Sequence, residues 1–69
     1  RRQPGGVIEL IDMYENDRIG FEARQKGVLA AYDAEGRDLG RVDLRSPRSG
    51  WMEFKPVPGA RRYVFAPLP

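Results

Sequence analysis

The 69-residue sequence contains no cysteine and no histidine. No disulfide can staple the fold, and the usual ligands of a structural zinc site are missing. The same two absences remove the commonest general base, the thiol nucleophile and most transition-metal sites. Hydroxyl nucleophiles other than tyrosine are confined to Ser46 and Ser49. Both lie in a Pro/Gly segment with no candidate base nearby in sequence, and both read as turn residues. No apolar run approaches membrane-spanning length, and no signal-peptide pattern is visible. The lack of cysteine fits any compartment, the cytoplasm among them.

Carboxylates are the remaining source of site chemistry. Glu15 with Asp17, and Asp33 with Glu35, sit in segments that read as tight turns. A dedicated calcium site needs six or more oxygen ligands in a recognisable arrangement. Glycoside hydrolysis needs two carboxylates flanking a cleft. Neither pattern is met, so these groups read as solvated turn residues. The expectation is a non-enzymatic chain with no metal, no cofactor, no small-molecule substrate and no membrane partner.

What the sequence does contain is β punctuation. Gly27 to Leu44 reads as a β-hairpin around Asp33-Ala34-Glu35-Gly36-Arg37. Asp before a turn accepts backbone hydrogen bonds just ahead of it, and Gly takes a positive φ without a Cβ clash. The pattern predicts a three-residue loop, a type I turn closed by a glycine bulge. In that register Asp33 faces Arg37, Ala31 faces Leu39, Leu29 faces Arg41 and Val28 faces Val42. A two-residue loop at Glu35-Gly36 is disfavoured because it sets Asp33 against Asp38. The stretch Tyr32-Asp33-Ala34-Glu35-Gly36-Arg37 resembles the YDxxGR core of the YD (Rhs-type) repeats of bacterial surface and toxin proteins. Those repeats work in tandem and this chain has one copy, so no function is carried over.

Elsewhere, residues 1–6 read as an extended arm. Val7 to Tyr14 reads as a strand with apolar residues on both faces, hence a central one. Glu15-Asn16-Asp17 reads as a turn. Arg18 to Gln25 alternates, with Ile19, Phe21 and Ala23 on one face. Residues 7–44 therefore suggest a four-stranded meander. Arg45 to Gly50 reads as a loop, Trp51 to Phe54 as a short strand, and Ala60 to Ala66 as the last strand. Pro56-Val57-Pro58 forces a bent connection.

The fold expected is all-β: a small antiparallel meander of five to six strands, curled into a barrel of SH3-like or OB-like proportions or a mini-sandwich. One domain spans 7–66, with 67–69 as a tail. A chain this short buries only about 60% of its unfolded surface. Small scaffolds without staples often oligomerise or belong to larger proteins. The start at Arg1 fits a trimmed piece or a module of a longer chain.

Two functional readings follow. The first is a protein–protein interaction or assembly module, self-associating or binding another protein. Ile8, Leu10, Leu29 and Leu39 are its candidate interface, because apolar residues on both faces of two strands exceed what one small core hides. The second is nucleic-acid binding through Arg45, Arg48, Trp51, Lys55, Arg61 and Arg62, where cations and aromatics would combine as they do on small barrels. Against it, Trp51 and Phe65 read first as core aromatics. The acids Asp38, Asp43 and Glu53 also dilute any positive field.

Overall fold

The computed structural model describes residues 6–11 and 18–68. The expected turn at 15–17, most of the arm at 1–6, and Met13 and Tyr14 lie outside the described residues. Among the described residues seven strands form: β1 (Ile8–Ile11), β2 (Ile19–Glu22), β3 (Gly27–Tyr32), β4 (Asp38–Val42), β5 (Arg45–Arg48), β6 (Trp51–Phe54) and β7 (Arg62–Pro67). They build two antiparallel sheets, one ordered β1-β7-β3-β4 and the other β2-β6-β5. The all-β expectation holds in its mini-sandwich form, and the sheets do not close into a barrel.

The connectivity is not the expected meander. β1 does not pair with β2, nor β2 with β3. β7 returns from the end of the chain and inserts between β1 and β3, pairing Phe65 with both Ile8 and Leu29. β1 is thereby an edge strand rather than a central one. Arg45 to Arg48 is also a strand where a loop was expected. Pro47 is compatible with this because β5 is an edge strand, where a missing N–H costs no ladder bond.

The inward faces follow the alternation. Ile8, Leu29, Ala31, Tyr63 and Phe65 from the larger sheet meet Ile19, Phe21 and Phe54 from the smaller one. Ring contacts bridge the sheets: Phe54 to Tyr63 at 4.6 Å and Phe21 to Phe65 at 5.3 Å between centroids. Such tilted pairs add to the area they bury. Tyr63 is buried with its hydroxyl satisfied, because its Oη accepts from Val57 N–H at 2.9 Å. That bond ties the proline-rich connection to the core. Tyr63→Phe leaves the Val57 N–H without this partner, and the expected loss is about 1 kcal/mol in urea unfolding. An unchanged midpoint would show that the bond adds nothing.

The hairpin turn forms as expected. Gly36 N–H donates to the Asp33 carbonyl and Asp33 N–H to the Arg37 carbonyl, both at 3.0 Å, with Gly36 at φ +83°. Asp33 Oδ1 accepts from the N–H groups of Glu35 and Arg37. The register beyond the turn differs. A second irregularity between Ala31 and Tyr32 shifts the pairing, so Leu29 faces Val42 and Ala31 faces Gly40. Asp38 Oδ1 accepts from Gly40 N–H at 2.7 Å, and Gly40 takes φ +103°. This second turn-like kink absorbs Leu39 and brings Val42 to the core side.

Candidate functional site

Pairing fixes which side chains face outward on the larger sheet. Phe65, Tyr63, Leu29 and Ala31 point to the core, so the residues between them point away. Glu9 pairs with Val64, Val64 with Ala30, and Ala30 with Arg41. These four form one row across all four strands, reading acid, valine, alanine, arginine. The next row runs Ile11, Arg62, Tyr32 and Asp38. Val28 and Ala66 pair on the other side of the first row.

The middle of this face is apolar. Val28, Ala30, Val64 and Ala66, with Tyr32 and Arg41, line a shallow hollow of about 300 Å³. Its floor is low because two of the four apolar residues are alanine. Val28 is 39% exposed and Ile11 52%. Charges hold the margins. Arg62 Nη1 donates to Glu9 Oε2 at 3.2 Å, and its guanidinium lies 4.7 Å from the Tyr32 ring centroid. At the far edge Arg41 Nη1 is 3.6 Å from Asp38 Oδ2. An apolar centre with a charged rim is the anatomy of a protein interface.

The residues expected at a protein interface fare differently. Ile8 (5% exposed) and Leu29 (1%) are core residues, which corrects their expected place on the surface. Both point inward beside Phe65, their pairing partner on β7, and pack in one cluster with Ile19, Phe21 and Phe54 of the smaller sheet. Leu10 is half-buried against the core, on the inward side of β1. Only Leu39 is exposed, at 40%, beside the kink in β4.

The cations and aromatics expected to meet do not gather in one place. Arg62 stands on the outer face of the larger sheet, as its pairing with Tyr32 requires. Arg45, Arg48 and Trp51 stand on the outer face of the smaller one, since Arg45 pairs with Glu53 and Arg48 with Trp51. Lys55 follows β6 at the end of the sandwich. Arg61 precedes β7, its N–H donating to the Tyr32 carbonyl at 2.8 Å. Phe54, Tyr63 and Phe65 are buried, as core residues should be.

Trp51 is not in the core cluster. The indole lies across Gly20, where an added Cβ would stand 2.3 Å from Cζ2. Its Nε1–H donates to Glu53 Oε2 at 2.9 Å, and the Arg48 guanidinium is 5.0 Å from the ring centroid. The ring is thus already engaged by three neighbours. Ser46 Oγ serves the backbone, donating toward the carbonyls of Arg48 and Trp51. Among the described residues no group of three or more acidic side chains could hold a metal ion, and no helix is long and apolar enough to cross a membrane.

Alternation along the hairpin puts Val28, Ala30 and Tyr32 on one face, but it also predicts Val42 and Leu44 there, and the shifted register turns Val42 to the core, against which Leu44 also packs. Val64 and Ala66, which complete the outer face, were not visible, because nothing local says that β7 lies beside β3. No protein-family model, curated protein or solved structure matches the chain.

Proposed function

We propose that the chain is a non-enzymatic assembly module that pairs with a second copy of itself through the outer face of the β1-β7-β3-β4 sheet. One observation carries this reading: the row Glu9, Val64, Ala30, Arg41. Its charges are opposite at its two ends and its centre is apolar. Two-fold symmetry makes an interface self-complementary. With the axis lying along the strands, between β7 and β3, each row meets its own copy reversed. Glu9 then faces Arg41 of the second copy, and the larger Val64 faces the smaller Ala30. In the neighbouring row Arg62 faces Tyr32 of the second copy, a pair it already makes within its own chain. Small size without staples adds a motive, since a second copy buries surface one chain cannot.

The test is sedimentation velocity over a series of concentrations. Wild type is expected to shift from monomer to dimer as concentration rises. Val64→Lys places like charges at the centre of the interface, and Ala66→Arg does so at its exposed margin. Each is expected to weaken dimerisation by about tenfold or more, the worth of burying one apolar side chain. At concentrations where wild type is monomeric, both should keep its thermal melt, because neither side chain faces the core. A wild type that stays monomeric, or variants that dimerise unchanged, would overturn the reading. A monomer that sediments with an oligonucleotide, with an inverse salt dependence, would favour the nucleic-acid alternative instead.

A further inference from the structure

A second surface lies where β4 crosses into β5 and β6 ends. It is a groove of about 380 Å³, and Arg18, Arg41, Arg45 and Lys55 converge on it with one acid, Asp43. These are four of the chain's twelve Lys and Arg against one of its ten Asp and Glu. The rest of the chain therefore holds no positive excess, and the basic character sits here. Among the described residues, Arg18, Arg45 and Lys55 make no ion pair, and Arg41 pairs only with Asp38. Cations held near one another repel, and an anion placed among them relieves that repulsion. The floor is apolar: Val42 and Val57 are half-buried there, over the buried Phe54.

We propose that this groove binds an acidic peptide segment carrying an aliphatic anchor. Arginine forks suit carboxylates in a bidentate geometry. The floor between Val42 and Val57 suits a side chain of leucine size, and its removal from water adds to the charge attraction. The groove suits a nucleic acid less well. Base recognition on small domains uses exposed aromatic faces, and the aromatic ring in this groove, Phe54, is 1% exposed. This site does not rest on dimerisation, because it shares only Arg41 with the outer sheet face.

Fluorescence anisotropy with a labelled Asp-Glu-Leu-Glu-Asp peptide, blocked at both ends, tests it. Three further probes run beside it: the same peptide with serine for leucine, its Asn/Gln counterpart, and a short oligothymidine. The acidic leucine peptide is expected to bind, and to weaken as salt screens the cations. The serine peptide should bind roughly tenfold more weakly, the worth of one buried leucine, and the Asn/Gln peptide should not bind. Arg45→Gln with Lys55→Gln should weaken the leucine peptide by about tenfold, because two charge-assisted hydrogen bonds are removed. Should that double variant lose its cooperative melt, Asp43→Asn decides: it removes the one acid that lines the groove, so binding should tighten severalfold. No binding of the leucine peptide, equal binding of the serine peptide, no response to either variant, or tighter binding of the oligothymidine would each overturn the proposal.

Discussion

Phe65→Ala is expected to leave the chain without a cooperative thermal transition. Phe65 is 1% exposed and sits on β7, paired with Ile8 on one side and Leu29 on the other. Its ring meets Phe21 across the sandwich at 5.3 Å. Truncation therefore removes a side chain shared by both sheets and by three strands of the larger one. Phe→Ala changes in cores cost about 3–5 kcal/mol, and the loss is greatest where the surroundings cannot collapse. Here they cannot collapse readily, because the cavity wall is a paired backbone on both sides. A chain of this length has a total stability of roughly 3–10 kcal/mol, so the change consumes most or all of it. Circular dichroism melts of both proteins check this. A midpoint within about 5 °C of wild type would correspond to a loss of only about 1 kcal/mol, and Phe65 could not then be the link between the layers.

The same residue shows where reading by sequence stops. Tyr63 and Phe65 alternate with Arg62 and Val64, and that period alone places the aromatics inward. Ile19, Phe21 and Ala23 are legible for the same reason, and all three are buried. The Asp33–Gly36 turn is legible because each of its hydrogen bonds is local. Strand neighbours are another matter. Phe65 finds Ile8 and Leu29 through pairings distant in sequence, and no local pattern encodes them. Once β7 is set between β1 and β3, the apolar excess of those strands is largely spent, and Ile8 and Leu29 become core. The shift at Leu39 was legible in principle. Asp38 two residues before Gly40 is a turn signal inside an apparent strand, and its side chain does accept from Gly40 N–H. Trp51 misleads for a different reason. Its apolar bulk argues for the core, but Gly20 across the sheet leaves an open shelf on the outer face, where the indole rests and keeps its N–H paired. The candidate sites suffer most. The row from Glu9 to Arg41 joins four strands, and the groove joins the ends of β4, β5 and β6. Each depends on an arrangement of strands rather than on any one of them.

Gly27→Ala is expected to destabilise the chain more than Gly36→Ala, although only Gly36 has an unusual backbone. Gly36 sits at φ +83°, with nothing within 4 Å of where an alanine methyl would stand. Its cost is torsional, about 1–2 kcal/mol for a left-handed alanine. Gly27 has no positive φ, and its cost is steric. An added Cβ would stand 2.4 Å from Cζ of Phe65 and 2.5 Å from the carbonyl oxygen of Ala66. The ring is wedged in the core and the oxygen belongs to the paired strand, so neither yields without moving β3 off β7. Overpacking of this kind costs about 1–3 kcal/mol and occasionally more, and two collisions at once put Gly27 at the upper end. Urea unfolding of the two variants ranks them directly, and a larger loss at Gly36 would contradict the close approach. Combining Gly27→Ala with Phe65→Leu separates the two collisions. If the ring dominates, shortening it relieves part of the strain, and the double variant is more stable than the sum of the single losses allows. Additive losses would assign the strain to the Ala66 carbonyl, and hence to the spacing of the two central strands on which the outer face is built.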